Sequence, residues 1–279
     1  MKWISRGSPV RLVRVIAGLF GTASLALPAA MPVANAEPLT AQVLLGPEVL
    51  QQLRGKTLLV AGASGQNGRV VLRQLAALGI RPRAMTRDPE AARREVGPEF
   101  DWVAGDVTRP ETLPAIVAGV DVVISAVATA MPLGGNRPER VDFEGTVNLS
   151  NAARAAGATR FVIITSSVSG KKDHFLNYIS NNVLIWKARA EQALYESGLE
   201  YVVVGPAMIN NEPGGTHPIR MFPRASYQAG MAINRDDLAS VVIAAAVLPG
   251  AANRTFSVAN GTGVATAEWS RAFSDLPRR

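Results

Sequence analysis

The sequence predicts a single-domain α/β fold, a doubly wound parallel sheet with helices on both faces. Three observations predict it. Short apolar, β-branched runs alternate with helical patterns through most of the chain. The runs are apolar at successive positions, not at every second one, which fits strands buried on both faces. A glycine triplet, Gly62, Gly65 and Gly68, falls where the first run meets the first helical pattern. Such a sheet is expected in the order 3-2-1-4-5-6, with a ligand crevice beyond the carboxyl ends of its strands. At 279 residues, 48% hydrophobic and 18% charged, the chain can bury one large core.

Residues 1–36 read as a separate leader. Lys2, Arg6, Arg11 and Arg14 come without an acidic residue, an apolar stretch follows, and Ala34-Asn35-Ala36 forms a small-x-small cleavage pattern. A secretory signal is one reading, placing the body in the periplasm or outside the cell. An N-terminal membrane anchor over residues 15–33 is a second, and an arginine-rich organellar transit segment a third. No adjacent arginine pair supports a twin-arginine route.

Residues 37–55, with VLLGPEVLQQL, read as a lead-in helix packed on the domain. Strands are expected at TLLVAG (57–62), PRAMT (82–86), DWVAG (101–105), DVVISAV (121–127), RFVIITS (160–166) and EYVVVG (200–205). Between them GRVVLRQLAALG, PETLPAIVAG, EGTVNLSNAARAAG and LIWKARAEQALYESG repeat apolar residues every three or four positions and end at glycines suited to helix C-caps. Residues 206–232 are rich in Pro, Gly and Asn and read as an irregular insertion, the expected substrate lobe. Arg235-Asp236-Asp237-Leu238 opens another helix, and RTFSVAN is the last strand. The domain thus occupies residues 56–279.

Composition narrows the function. The net charge of +7 belongs mostly to the leader; without its four basic residues, 25 Lys and Arg face 22 Asp and Glu. The body has no aromatic-interleaved basic stripe, so nucleic acid is not an expected partner. Arg93 and Arg94 read as a solvated helix face. With no cysteine, disulfides, thiol catalysis and thiolate metal sites are excluded. His174 and His217, far apart, give no zinc pattern, and no metal is expected.

The glycine triplet carries the chemistry. Missing side chains let backbone approach a pyrophosphate, and the N–H groups at the helix start supply a partial positive field. Arg87, nineteen residues beyond Gly68 at the end of the second strand, suits the 2′-phosphate of NADP, where an acidic residue would suit NAD. Asp88 follows it, but Asp88-Pro89 reads as a turn starter, so NADP(H) is favoured over NAD(H). Asp106 ends the third strand, either bonding adenine or capping its own turn.

The ordered set VAGASGQNG, MTRDP, GDVTRPETL, DVVISAV, VDFEGTVNLSNAARAAG, RFVIITSS, KARAEQALYESGLEYVVVGPAMI and INRDDLA resembles the atypical short-chain dehydrogenase/reductase superfamily. Within it, the NAD(P)H-binding branch of NmrA-like regulators and flavin or biliverdin reductases is closest, over nearly all of residues 56–260. The resemblance implies a Rossmann-type domain with a nicotinamide dinucleotide along the strand ends. Its implied contacts are Gly62, Ser64, Gly65, Gln66, Asn67, Gly68, Arg87, Asp106, Val107, Ala126 and Lys187.

It also implies a serine and a Tyr-x-x-x-Lys pair, in which the ammonium lowers the phenol's pKa. Lys187 matches the lysine, but Val183 stands where the tyrosine belongs, and the nearest tyrosine, Tyr178, lies nine positions before Lys187. Ser166 and Ser167 match the serine position, with a strand-end hydrogen bond as the plainer alternative. Ser166 and Lys187 are therefore the candidate catalytic residues. Lys187 is expected either to bind the nicotinamide ribose or to pair with Glu191 one turn on. Gly205-Pro206 replaces an Arg-Pro common in relatives. Two functions remain open: reduction of a flavin- or quinone-like acceptor without a tyrosine acid, or a non-catalytic nucleotide-binding sensor or assembly scaffold.

Overall fold

The computed structural model describes residues 41–129, 136–262 and 268–278. The leader, residues 1–36, lies outside the described residues, so neither its cleavage nor its anchoring role has a structural counterpart here. Among the described residues no helix is long and apolar enough to cross a membrane.

The order of elements is α1 (Ala41–Leu53), β1 (Leu58–Ala61), α2 (Gln66–Ala77), β2 (Arg83–Thr86), α3 (Pro89–Glu95), β3 (Asp101–Ala104), α4 (Pro114–Val117) and β4 (Val122–Ser125). A π turn, Glu139–Glu144, then runs into α5 (Gly145–Ala155), followed by β5 (Arg160–Ile164), α6 (Phe175–Ile179), α7 (Val183–Tyr195) and β6 (Glu200–Pro206). The chain closes with β7 (Met208–Asn210), β8 (Ile219–Phe222), β9 (Ala232–Asn234), α8 (Arg235–Val247), β10 (Arg254–Asn260) and α9 (Trp269–Ser274).

The main sheet runs β3-β2-β1-β4-β5-β6-β10-β8, so the expected order 3-2-1-4-5-6 holds and two strands extend it. Its pairs are parallel except β10 with β8, which is antiparallel. Successive residues of β1 feed opposite layers. Leu58 and Val60 join a core with α1, α2 and α8, while Leu59 and Ala61 join one with α4, α5 and α7. That double burial is why the strands read as continuous apolar runs.

Helix α8 is buried from Asp237 to Val247. A helix apolar all round needs cover on every side, and the lead-in segment supplies part of it, packing Leu44, Leu45, Val49 and Leu53 into the same core. This lead-in is broken at Gly46, whose φ of 70° and ψ of 173° separate two short helical pieces before Pro47. The indole of Trp269 donates to the Leu44 carbonyl at 2.7 Å and ties α9 to it.

Two expectations need correction. Residues 206–232 are not irregular throughout. They contain β7 and β8 and end at β9, with β8 covering the edge that β10 would otherwise present. The helical pattern PETLPAIVAG forms only a 3-10 turn (Pro110–Thr112) and the four-residue α4, because Pro114 interrupts the backbone ladder. The insertion is strapped down by Asp237, fully buried, which accepts from the Gly215 N–H and from Asn260 Nδ2, both at 2.7 Å.

Candidate functional site

The turn from β1 into α2 is shaped by absent side chains. Gly62 has φ 72°, and a Cβ there would stand 2.9 Å from the backbone of Ala126 and Val127 at the end of β4. A Cβ on Gly68 would collide with the Gly62 carbonyl. Gly65 donates to that carbonyl at 3.0 Å and begins α2 with no side-chain cap. The helix start therefore keeps first-turn N–H groups clear of side-chain partners, as an anion site requires.

Beyond the carboxyl ends of β1 to β4 opens a cavity of about 320 Å³. Gly62, Ser64 and Gly65 form one wall, Thr86 and Arg87 the next, then Asp106 and Val107, and Ala126 to Thr129 with Asn136 and Val141 close it. Ser64 and Thr86 share a hydroxyl hydrogen bond of 2.9 Å. Arg87 Nη1 donates to Asn136 Oδ1 at 3.1 Å, so the guanidinium is held at the cavity wall. Asp88 turns to α3 instead, accepting from the Ala91 N–H at 2.9 Å as its N-cap. Asp106 Oδ1 accepts from the N–H and hydroxyl of Thr108 at 2.9 and 2.8 Å, so its carboxylate braces its own turn while lining the cavity.

Of the remaining expected contacts, Gln66 is exposed at the start of α2. Asn67 accepts from Arg235 Nη1, and Arg235 Nε donates to Asn211 at 2.9 Å, linking the glycine turn to the insertion. Gly68 is buried under the turn.

The β5 side is built differently. Ser166 Oγ accepts from the Val168 N–H at 3.3 Å, and Ser167 Oγ donates to the Gly205 carbonyl at 2.7 Å. Ser167 thus serves the sheet and not the crevice. A Cβ on Gly205 would lie 3.0 Å from the Ser166 backbone, so glycine here lets β6 run close against that turn.

Lys187 does not pair with Glu191. Its Nζ lies 2.6 Å from Asp142 Oδ1, and the two side chains are 14% and 2% exposed. Glu191 is taken by Arg224 at 2.6 Å. The i,i+4 geometry was available, but each group found an opposite charge on another segment, Asp142 buried and Arg224 half-buried, where the attraction is less screened. Asp142 Oδ2 accepts the hydroxyl of Thr129 at 2.6 Å and its N–H at 3.2 Å, and Thr129 lines the cavity. Lys187 is thereby connected to the crevice wall through one buried carboxylate. Tyr178 stands on α6, 78% exposed, and Asn181 and Asn182 with φ 53° and 60° end that helix before α7 begins at Val183.

Asp142, Thr129 and Asn136 do not stand out in the sequence as site residues. Asp142 carries a signal all the same: it sits between Val141 and Phe143, as Lys187 sits beside Ile185 and Trp186. Charges embedded in apolar stretches require partners. Asn136 carries none.

A family profile described as NAD(P)H-binding matches residues 62–249. Sanguinarine reductase of Eschscholzia californica is 27% identical over 263 residues, 79% of this chain and 96% of its own. The photosystem II assembly factor Ycf39 of Guillardia theta is 35% identical over 147 residues, covering 52% of this chain and 44% of its own. A solved structure from Bacillus halodurans, provisionally assigned as an NAD-dependent epimerase/dehydratase, superposes with a TM-score of 0.66 at 27% identity, over 80% of this chain and all of that one. The Rossmann-type sheet, the side-chain-free turn at its switch point and the match over residues 62–249 place this chain in the NAD(P)H-binding branch of the atypical short-chain dehydrogenase/reductases, with a nicotinamide dinucleotide as its cofactor.

Proposed function

We propose that the protein is an NADP(H)-dependent reductase of a flavin- or quinone-like acceptor, working without a tyrosine acid. The observation that carries the cofactor preference is Arg87 at the cavity wall, oriented by Asn136 and beside the Ser64–Thr86 pair, with the competing Asp88 spent on capping α3. On this reading the backbone of the glycine turn holds the pyrophosphate and Arg87 pairs with the 2′-phosphate. The Asp106-Val107 turn and Ala126 border the adenosine half, and Lys187, positioned by Asp142, bonds the nicotinamide ribose. The cofactor, when bound, supplies a hydride. Val183 has no proton to give, so the acceptor is one whose reduced anion is delocalised enough to take its proton from solvent. Similarity to a reductase over 96% of that enzyme's length supports the class of reaction.

The test is a fluorescence titration with NADPH and NADH, followed by a screen of quinones and flavins. Arg87→Ala is expected to weaken NADPH roughly 10- to 100-fold, as for a charge-assisted bond, and to leave NADH unchanged. Equal loss for both nucleotides, or none, overturns the NADP reading. A second reading, a nucleotide-bound sensor or assembly scaffold, is favoured by the Ser166 hydroxyl being tied into its own turn and by the likeness to an assembly factor. Nucleotide binding with no turnover on any acceptor would select it.

A further inference from the structure

Helix α6 holds large apolar side chains in water. Phe175, Tyr178 and Ile179 fall at i, i+3 and i+4 and so share one face, and they are 62%, 78% and 66% exposed. The inward position belongs instead to a polar residue. Asn177 is buried, its Nδ2 donating to the carbonyls of Lys171 and Lys172 at 2.9 Å and its Oδ1 accepting the Leu184 N–H at 3.0 Å. A five-residue helix cannot hold itself; these three bonds fix it with the apolar face outward. That is the reverse of what burial alone selects. Met208, the first residue of β7, is likewise 64% exposed.

Charge indicates what covers this face. Lys171 and Lys172 lie four and three residues before the helix start, both exposed, Lys171 with its Nζ 5.4 Å from the Tyr227 ring centroid, and Asp173 is the one acid among residues 171–182. A convex single turn encloses no small ligand. An anionic bilayer suits both features, since aromatic and aliphatic side chains enter the headgroup boundary while lysines meet lipid phosphates.

We propose that α6 docks the protein on an anionic membrane surface, inserting Phe175, Tyr178 and Ile179 and turning the carboxyl edge of the sheet toward lipid. Docking stands independently of the reductase reading. Combined with that reading, it makes the acceptor a lipid-dissolved ring compound of the quinone class.

The absence of cysteine permits a local test. Tyr178→Cys in the full chain is labelled with an environment-sensitive fluorophore and mixed with phosphatidylcholine vesicles, pure or containing about three parts in ten phosphatidylglycerol. A blue shift on the anionic vesicles is expected. Apparent affinity should fall about tenfold or more when Lys171 and Lys172 are both changed to Glu. A probe at Arg93→Cys, on α3, should not respond. No shift on either vesicle, or a shift insensitive to the lysines, overturns the proposal. A shift without vesicles that grows with protein concentration also overturns it, by assigning the face to a second copy. Binding is read at α6 itself, and the change at Lys171 and Lys172 separates it from attraction of the basic leader to the same vesicles; catalysis does not enter.

Discussion

The turn after β1 and the flank built by Thr129, the π turn and α7 are held in opposite ways. The first is held by backbone: Gly62, Gly65 and Gly68 pack so closely that a methyl group at Gly68 has no room. The second is held by side chains, with Lys187 bound to Asp142, Asp142 to Thr129, and Glu191 to Arg224. A site made of backbone tolerates no added atoms. A site made of buried charges tolerates no lost ones, because the surviving partner is left without water or counter-ion.

Substitutions on the two sides test that contrast. The largest effect is expected from Asp142→Ala, which strands the Lys187 ammonium and two donors of Thr129. We expect about 3–5 kcal/mol less stability by urea denaturation. Asp142→Leu combined with Lys187→Met should cost less than the single change, since both charges leave together. A single-variant loss below about 1 kcal/mol would show that the pair does not hold this flank.

Gly68→Ala comes next, at roughly 1–3 kcal/mol for forcing a methyl against the Gly62 carbonyl, with nucleotide affinity falling in the same titration. Unchanged affinity would mean that the turn can shift without losing its shape. The third test lies behind the crevice, at Asp237. Burial raises its pKa above the ordinary 3.8, against the lowering effect of its bonds from Gly215 and Asn260. The folded state therefore holds this proton more tightly than the unfolded chain. The associated stability is full below pH 3.8 and is lost as pH rises through the raised value. The advantage of the wild type over Asp237→Asn should thus shrink from about pH 4 toward neutrality in pH-resolved melts; a gap that widens would reverse the sign. The smallest effect is expected from Ser166→Ala, which removes one 3.3 Å acceptor. Stability should change by less than about 1 kcal/mol. On the reductase reading turnover nonetheless falls with folding intact, whereas unchanged kcat would assign Ser166 to its turn alone.

The glycine turn is legible in the sequence because everything that defines it lies within one strand, one turn and one helix. Arg87 is legible for the same reason, as the residue that follows β2. The strands of the insertion are not. β7 and β8 are three and four residues long in a stretch crowded with Pro and Gly, and β8 forms because β10 offers it an edge. The partner of Lys187 is hidden as well. Within the helix Glu191 is the obvious neighbour, but Asp142 lies 45 residues earlier and reaches Lys187 only after α5 and α7 pack.

Local chemistry settled the alternation of strand and helix and the phosphate-ready turn, because each follows from periodicity, propensity and missing side chains at neighbouring positions. Tertiary packing alone settled which charges pair, which edge of the sheet is covered and which apolar face of α6 stays in water. Those outcomes depend on groups far apart in the chain, whose mutual burial sets the strength of every interaction between them.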